Sequence, residues 1–289
     1  MQIGVVFPQT EIGNASIADL RRYSTTVEQL GFAHLLAYDH VVGADPSHHA
    51  PWHGPYDVNT TFHEPFVLFG FLAACTTLEL VTGVIILPQR QTVLVAKQAA
   101  EVALLTEGRF RLGVGIGWNA VEYEALGMPF DKRGRRMSEQ IPLLRRLLSE
   151  PIVTHDGEFD RVTAAGIAPL PRPHPVPIWI GAQSAPAYRR AGRLADGWFP
   201  QVAPGPRLDE ALAIVSDAAA EAGRDPNSLG MDGRVSWSAD GAAKLVDHVG
   251  RWNDAGASHL SINTMGVGLG DVDRHLEVLT EVASALGLQ

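Results

Sequence analysis

The chain has 289 residues, 46% of them hydrophobic and 19% charged, a composition typical of a globular protein with a large core. Its net charge of -9, without a long basic run, argues against nucleic acid or an anionic membrane as the main partner. The single cysteine, Cys75, excludes an internal disulfide and a multi-cysteine metal cluster. Because the amino terminus resembles no signal peptide and no apolar stretch is long enough to span a membrane, we expect a cytoplasmic protein.

Short β-branched runs alternate with segments of helical period from the first residues to the last, the pattern of a parallel α/β sheet. The first four strands are predicted at residues 3–7, 34–38, 78–87 and 110–114. The helices between them are predicted at about 16–30, 65–76 and 93–106. Gly31 and Gly108 are the stop signals of the first and third helices.

The second half of the chain begins with an amphipathic stretch at about 135–148 and a proline-rich segment at 151–177. The prolines exclude a continuous helix or a central strand, so we predict an insertion at about 130–177, between strands four and five. The remaining strands are predicted at 178–180, 197–199, 234–237 and 260–263, and the remaining helices at about 185–194, 208–219, 241–253 and 272–286.

Eight strands with intervening helices favour a closed (β/α)8 barrel, a TIM barrel, over an open doubly wound sheet. The first βα turn also lacks the Gly-x-Gly-x-x-Gly fingerprint of such a sheet. We therefore predict that residues 1–289 form a single α/β barrel domain. Functional residues are then expected at the carboxyl ends of the strands.

Asp39 and His40 follow the second strand and precede a long loop at 41–63, which has the length of a lid or a binding element. A histidine at this position can exchange a proton near neutral pH, and a carboxylate can orient an imidazole or bond a ligand ring nitrogen. The alternative is that Asp39 only caps local backbone amides.

Histidines are concentrated in one region, since six of the eleven lie between His34 and His63. His48, His49 and His53 could approach one ion, which leaves a metal-dependent barrel hydrolase as an alternative from another class. Their spacing matches no recognised zinc pattern, and we predict no metal site.

Glycines alternate along the end of the fourth strand, in Gly113-Val114-Gly115-Ile116-Gly117-Trp118-Asn119. Such glycines let backbone amides approach a flat or anionic ligand, although Trp118 stands where a dinucleotide fingerprint needs glycine. The alternative is close packing of the strand end against a helix.

Small residues follow the fifth strand, in Gly181-Ala182-Gln183-Ser184, and lead directly into a helix. A helix amino terminus offers free amides, and with the Ser184 hydroxyl it could hold a phosphate. The alternative is that Ser184 is a helix cap and nothing more.

Taken in order along the chain, these motifs resemble the bacterial luciferase-like monooxygenase superfamily. The segments that carry the resemblance are 84–88, 95–100, 108–119, 177–181 and 195–200. Asp39-His40 and the arginine-rich composition are similar to the branch that uses the deazaflavin coenzyme F420.

The resemblance implies a (β/α)8 barrel with a flavin or deazaflavin at the strand ends, and a homodimer. It implies that Asp39 and His40 contact the ring and that Gly181, Ala182 and Gln183 hold the phosphate. Further cofactor-binding residues that it implies are Val84, Ile85, Gly115, Gly117 and Trp118. It also implies a non-proline cis peptide bond near Val84-Ile85.

F420 supplies hydride transfer at ring carbon 5, which requires orientation, a dry pocket and one proton donor or acceptor. The resemblance therefore implies an oxidoreductase that acts on a small organic substrate, with His40 moving the proton and Asp39 fixing a ring or imidazole position. Trp52, Tyr56 and Trp118 would form aromatic walls for an apolar or planar substrate, unless they are simple core packing.

The sugar-phosphate dehydrogenases of this branch carry glutamate where Trp118 stands, so glucose 6-phosphate is not the expected substrate. Two alternatives stay open within the barrel. One is an FMN-dependent monooxygenase served by a separate reductase, and the other is a flavin-binding barrel without turnover.

Overall fold

The computed structural model describes residues 1–171 and 175–288 and contains one closed parallel sheet surrounded by helices. The strands of the barrel are β1 (Gln2–Val6), β2 (His34–Ala37), β3 (Glu79–Thr82), β4 (Ile85–Ile86), β5 (Phe110–Gly115), β8 (Ile178–Ala182), β9 (Gly197–Pro200), β10 (Gly230–Ser236) and β11 (His259–Asn263). β1 pairs with β11 and β3 pairs with β5, which closes the ring. The predicted (β/α)8 barrel is confirmed.

Helices connect the strands on the outside of the barrel and pack apolar faces on it. They are α1 (Gln9–Ile12), α2 (Ile17–Gln29), α3 (Pro65–Leu72), α4 (Thr92–Leu105), α5 (Ala120–Ala125), α6 (Arg133–Ser149), α7 (Ala185–Leu194), α8 (Pro206–Glu221), α9 (Gly241–Asp254) and α10 (Val272–Leu286). None of them, in the part of the chain that is described, has the length and apolar character needed to cross a membrane.

The predicted third strand is interrupted in the structure. β3 and β4 are separated by Gly83 and Val84, and the peptide bond between these two residues is cis, one bond before the expected Val84-Ile85 position. β4 pairs with β5 alone, and the Ile86 N–H donates instead to the carboxylate of Asp39 at 3.0 Å. The side chain of Asp39 thus replaces the neighbouring strand at this point.

The predicted seventh strand begins too late. β10 starts at Gly230, four residues before the predicted position 234. The prediction placed the start too late because Gly230-Met231-Asp232-Gly233 has the composition of a turn. Asp232 is nevertheless buried within the strand, where its carboxylate accepts a hydrogen bond from Arg111 at 3.2 Å. A charged partner from β5 thus allows a polar residue inside the barrel.

Between β5 and β8 the chain forms α5, α6 and an antiparallel hairpin of β6 (Val153–Asp156) and β7 (Arg161–Ala165). α6 packs against α4 and α7 within the outer layer of helices, and the hairpin is a separate two-stranded sheet. Positions 172–174 of the predicted insertion lie outside the described residues. The assignment of residues 1–289 to one domain, with an insertion at about 130–177, stays a prediction.

Candidate active site

A cavity of about 810 Å³ opens at the carboxyl ends of the barrel strands. This position follows from the fold, because the loops after parallel strands all emerge on the same face. The predicted site residues that line it are Asp39, His40, Val84, Gly115, Gly117, Trp118, Gly181, Ala182 and Gln183. The fold therefore brings together residues separated by more than a hundred positions.

Ile85 differs from the other residues predicted to bind a cofactor. It is fully buried in the hydrophobic core, and Ile86 lines the cavity in its place. The break in the strand at Gly83 and Val84 determines which residue of β4 faces the cavity. Because consecutive strand residues point to opposite sides, Ile86 faces the cavity and Ile85 faces the core.

Val84 projects between two of the glycines at the strand ends. A Cβ atom on Gly115 would lie 2.5 Å from Val84 Cγ2, and one on Gly181 would lie 3.2 Å from Val84 Cγ1. Glycine at position 115 is thus required by packing against Val84, which lies in the break between β3 and β4 and not in a helix. Gly117 has a φ of +63°, which also favours glycine.

Asp39 is held by an ion pair rather than being free toward the cavity. Arg90 donates to Asp39 Oδ1 at 2.7 Å, while the Ile86 N–H donates to Oδ2. Burial raises the pKa of Asp39, against the opposing effects of Arg90 and the Ile86 N–H. Both carboxylate oxygens are engaged, and the backbone amide that Asp39 binds is 47 positions away on β4, whereas the capping alternative concerned local amides.

His40 lies beside a buried carboxylate that was absent from the sequence prediction. Its Nδ1 atom is 3.5 Å from Oε2 of Glu122, whose side chain is 1% exposed. Glu122 also accepts hydrogen bonds from the Val41 N–H and from Gln89. Burial favours a raised pKa for Glu122, but the hydrogen bonds from His40 and Val41 outweigh it and lower the pKa. Glu122 is thus placed to fix the orientation of the imidazole.

Aromatic side chains surround His40. Its ring centroid lies 5.1 Å from Tyr56, 4.7 Å from Phe62 and 5.7 Å from Trp118. Trp52 packs on Trp118 with centroids 5.7 Å apart. The three predicted wall residues therefore meet, and the long loop after β2 supplies two of them together with Phe62.

The charges at the cavity leave two cations without an acidic partner. Asp39 and Asp232 line the cavity and are paired with Arg90 and Arg111. Arg133 and Arg234 also line it, and neither has a carboxylate within 4.0 Å among the described residues. The cavity is therefore suited to an anionic ligand.

The amino terminus of α7 reaches the same cavity. Ser184 is its N-cap residue and lines the cavity, yet its side chain makes no capping hydrogen bond. The amino terminus of α7 therefore lies at the wall of the cavity, where its dipole would stabilise a ligand phosphate.

The floor of the cavity contains a buried polar network. Asp232 accepts hydrogen bonds from Arg111 at 3.2 Å and from Ser261 at 3.1 Å, and Ser261 is also hydrogen-bonded to His34 at 2.9 Å. Burial raises the pKa of Asp232 to about 6, and burial lowers the pKa of His34 well below its ordinary value.

The loop histidines considered for a metal site do not converge. His48 is exposed and hydrogen-bonded to Asp45, and His49 lies near Trp52. Within residues 1–171 and 175–288, no group of three or more His, Cys, Asp or Glu side chains is arranged to hold a metal ion.

Five charged residues of the site were missed by sequence reasoning, namely Arg90, Glu122, Arg133, Asp232 and Arg234. A signal existed for Glu122, because Asn119 is the N-cap of α5 and an acid three residues later is typical of a capping pattern. Arg90 lies three positions after the end of the predicted third strand, and one short turn of helix at Leu87–Gln89 directly precedes it. The contacts of Arg90 with Asp39 and of Glu122 with His40 span more than 50 positions and leave no local pattern.

The model of the luciferase-like monooxygenase family matches residues 1–249. The chain therefore belongs to this family, as the sequence motifs predicted. An uncharacterised protein of Mycobacterium tuberculosis is 37% identical over 188 residues, which cover 64% of this chain and 65% of that protein. The F420-dependent glucose-6-phosphate dehydrogenase of Nakamurella multipartita is 30% identical over 248 residues, which cover 82% of this chain and 68% of that protein.

Solved structures with different cofactors share the fold. An F420-dependent secondary alcohol dehydrogenase in complex with an F420-acetone adduct superposes with a TM-score of 0.78 at 18% identity, covering 97% of this chain and 98% of that one. A riboflavin lyase with modified FMN and riboflavin superposes with a TM-score of 0.71 at 18% identity, covering 88% of this chain and 66% of that one.

Proposed function

We propose that the protein is an F420-dependent oxidoreductase that transfers a hydride between ring carbon 5 of the deazaflavin and a small organic substrate. The observation that carries the proposal is the single cavity that unites His40, the two unpaired arginines and the α7 amino terminus. Family membership and the F420-dependent relative support the choice of cofactor.

The residues of the cavity fit such a cofactor. The ring would lie against Val84 and the backbone at Gly115 and Gly117, and the phosphate would bind at Gly181, Ala182, Gln183 and Ser184. F420 supplies a hydride acceptor or donor when it is bound. The polypeptide binds and orients the reactants and excludes water around them.

His40 is the group we propose to move the proton. Histidine exchanges protons near neutral pH, and the Glu122 carboxylate, 3.5 Å from Nδ1 of His40, orients the imidazole. Asp39 acts as a positioning residue, since its carboxylate holds Arg90 and the amide of Ile86 rather than the cavity contents. In this assignment Asp39 holds β4, and with it the wall at Val84 and Ile86, in place.

The aromatic wall indicates the class of substrate. Tyr56, Phe62 and Trp118 place flat apolar surfaces around the His40 imidazole. A small apolar or planar alcohol, ketone or aldehyde would pack on Tyr56 and Trp118, which line the cavity, with its oxygen toward His40. Glucose 6-phosphate, the substrate in the name of the Nakamurella relative, does not match such a wall.

Binding and turnover test the proposal separately. Titration of the purified protein with F420 and with FMN, followed by fluorescence quenching, is expected to give tighter binding of F420. His40→Asn should retain this binding and lower turnover with a panel of alcohols and carbonyl compounds by about 10²- to 10⁴-fold.

Two results would change the assignment. Tight FMN binding without F420 binding would favour the FMN-dependent alternative, which the shared fold of the riboflavin lyase supports. A His40→Asn enzyme with full activity would remove the proposed proton carrier. A homodimer, and a reductase partner for the FMN alternative, stay predictions.

A further inference from the structure

A second groove, of about 460 Å³, lies beside the cavity and is rich in arginine. Arg189, Arg190 and Arg193 of α7 and Arg135 of α6 line it, together with two carboxylates, Glu139 and Glu158. We refer to it as the arginine groove. Its excess of positive charge contrasts with the net charge of -9 of the whole chain.

Both carboxylates of the arginine groove are already engaged. Glu139 accepts hydrogen bonds from the backbone amides of residues 158–160 in the β6–β7 hairpin, and Glu158 forms ion pairs with Arg135 and Lys132. Four arginines against two carboxylates leave the arginine groove with a net positive charge.

The three arginines of α7 have no acidic partner among the described residues. No carboxylate lies within 4.0 Å of Arg189, Arg190 or Arg193 in the described part of the chain. Arg190 is only 8% exposed, and its Nε donates to Ser138 at 2.9 Å. Burial and the nearby charge of Arg193 lower the pKa of Arg190. An anion in the groove would relieve this repulsion.

The arginine groove and the main cavity are lined by neighbouring residues of the same two helices, α6 and α7. Arg133 and Ala187 line the cavity, whereas Arg135, Pro186 and Arg190 on the same two helices line the groove. From Ser184 to Arg193 the axis of α7 rises about 13 Å. An extended chain of about four amino-acid residues spans this distance.

We propose that the arginine groove binds a chain of carboxylate groups attached to a phosphate that lies at the amino terminus of α7. This inference rests on the proposed function, because the γ-linked glutamates that follow the phosphate of F420 have this chemistry. FMN ends at its phosphate and would leave the groove unused. The groove thus selects F420 over FMN by its tail.

The test compares two cofactors and two pairs of substitutions. The cofactors are F420 with several glutamates and the same deazaflavin truncated before the first glutamate. Arg189→Gln/Arg193→Gln removes two groove charges, and Arg207→Gln/Arg251→Gln removes two exposed charges from α8 and α9 as the matched control. Dissociation constants are measured by fluorescence quenching at low salt, with circular dichroism to verify folding.

The groove variant is expected to bind the long-tailed cofactor about tenfold more weakly, while binding of the truncated cofactor and of the control stays unchanged. An equal loss for both cofactors, or no loss for either, would overturn the proposed groove. If the wild type binds neither deazaflavin, the proposed function itself is refuted, and the groove proposal with it.

Discussion

Arg90→Gln is expected to destabilise the protein in a pH-dependent way. The Asp39 side chain is 1% exposed and Arg90 is 14% exposed, so the substitution leaves a buried carboxylate with the Ile86 N–H as its remaining hydrogen-bond donor. Removal of one partner of such a pair costs about 3–5 kcal/mol of unfolding free energy. For a chain of this size the melting temperature should fall by about 5–8 °C.

The pH dependence follows from the direction of the pKa shift of Asp39. Burial already raises this pKa, and loss of Arg90 raises it further. A group whose pKa is raised in the folded state contributes stability that is lost as the pH rises through that pKa. The deficit of Arg90→Gln relative to the wild type should therefore be larger at about pH 8 than at about pH 5.

Urea unfolding of four proteins at both pH values provides the measurement. Asp39→Asn/Arg90→Gln removes the charge together with its partner and should recover most of the loss at high pH. Arg109→Gln breaks an exposed pair with Glu107 and should cost no more than about 1 kcal/mol. A deficit that does not vary with pH, or a double variant as unstable as the single one, would refute this reasoning.

Three further predictions concern the site. Glu122→Gln should lower turnover by up to about 10²-fold, because the His40 imidazole loses its orientation. The cofactor dissociation constant should stay unchanged, and a parallel loss of affinity would contradict a positioning role. Gly115→Ala should lower the free energy of unfolding in urea by about 1–3 kcal/mol, because the added Cβ clashes with Val84. Adding Val84→Ala should restore stability, and a double variant no more stable than the single one would count against the clash. The pKa of Asp232 is raised from 3.8 to about 6, so the wild type should lose about 2 kcal/mol of unfolding free energy relative to Asp232→Asn as the pH rises from about 4 to 7; a constant difference in urea midpoints would argue against it.

The alternation of apolar runs and helical periods was sufficient to predict the barrel. This alternation is a local pattern, and each βα unit of the barrel contains one strand run and one helical period. The interruption at Gly83 and Val84 left no such pattern, because the run at 78–87 is apolar throughout its second half. The late start predicted for β10 has a related cause, since Asp232 is stabilised inside the barrel by Arg111, a residue distant in sequence.

The candidate site was predictable to the extent that its residues lie at strand ends. Asp39, His40 and Gly181 were found in this way, since the fold alone brings strand ends together. Which group each of them contacts depends on pairings across the barrel. His40 and Glu122 are 82 positions apart in the sequence. Their contact leaves no local pattern from which a single sequence could predict it.

The acidic composition gives the proposed cofactor site a decisive test. If the net charge of -9 governed binding, added salt would screen repulsion and strengthen binding of an anionic cofactor. The local charges predict the opposite, because Arg133, Arg234 and the α7 terminus face the cavity while its two aspartates are paired. The dissociation constant of F420 should therefore rise between about 0.05 and 0.5 M NaCl. A decrease over this range would mean that the repulsion of the whole chain exceeds the attraction of its cavity.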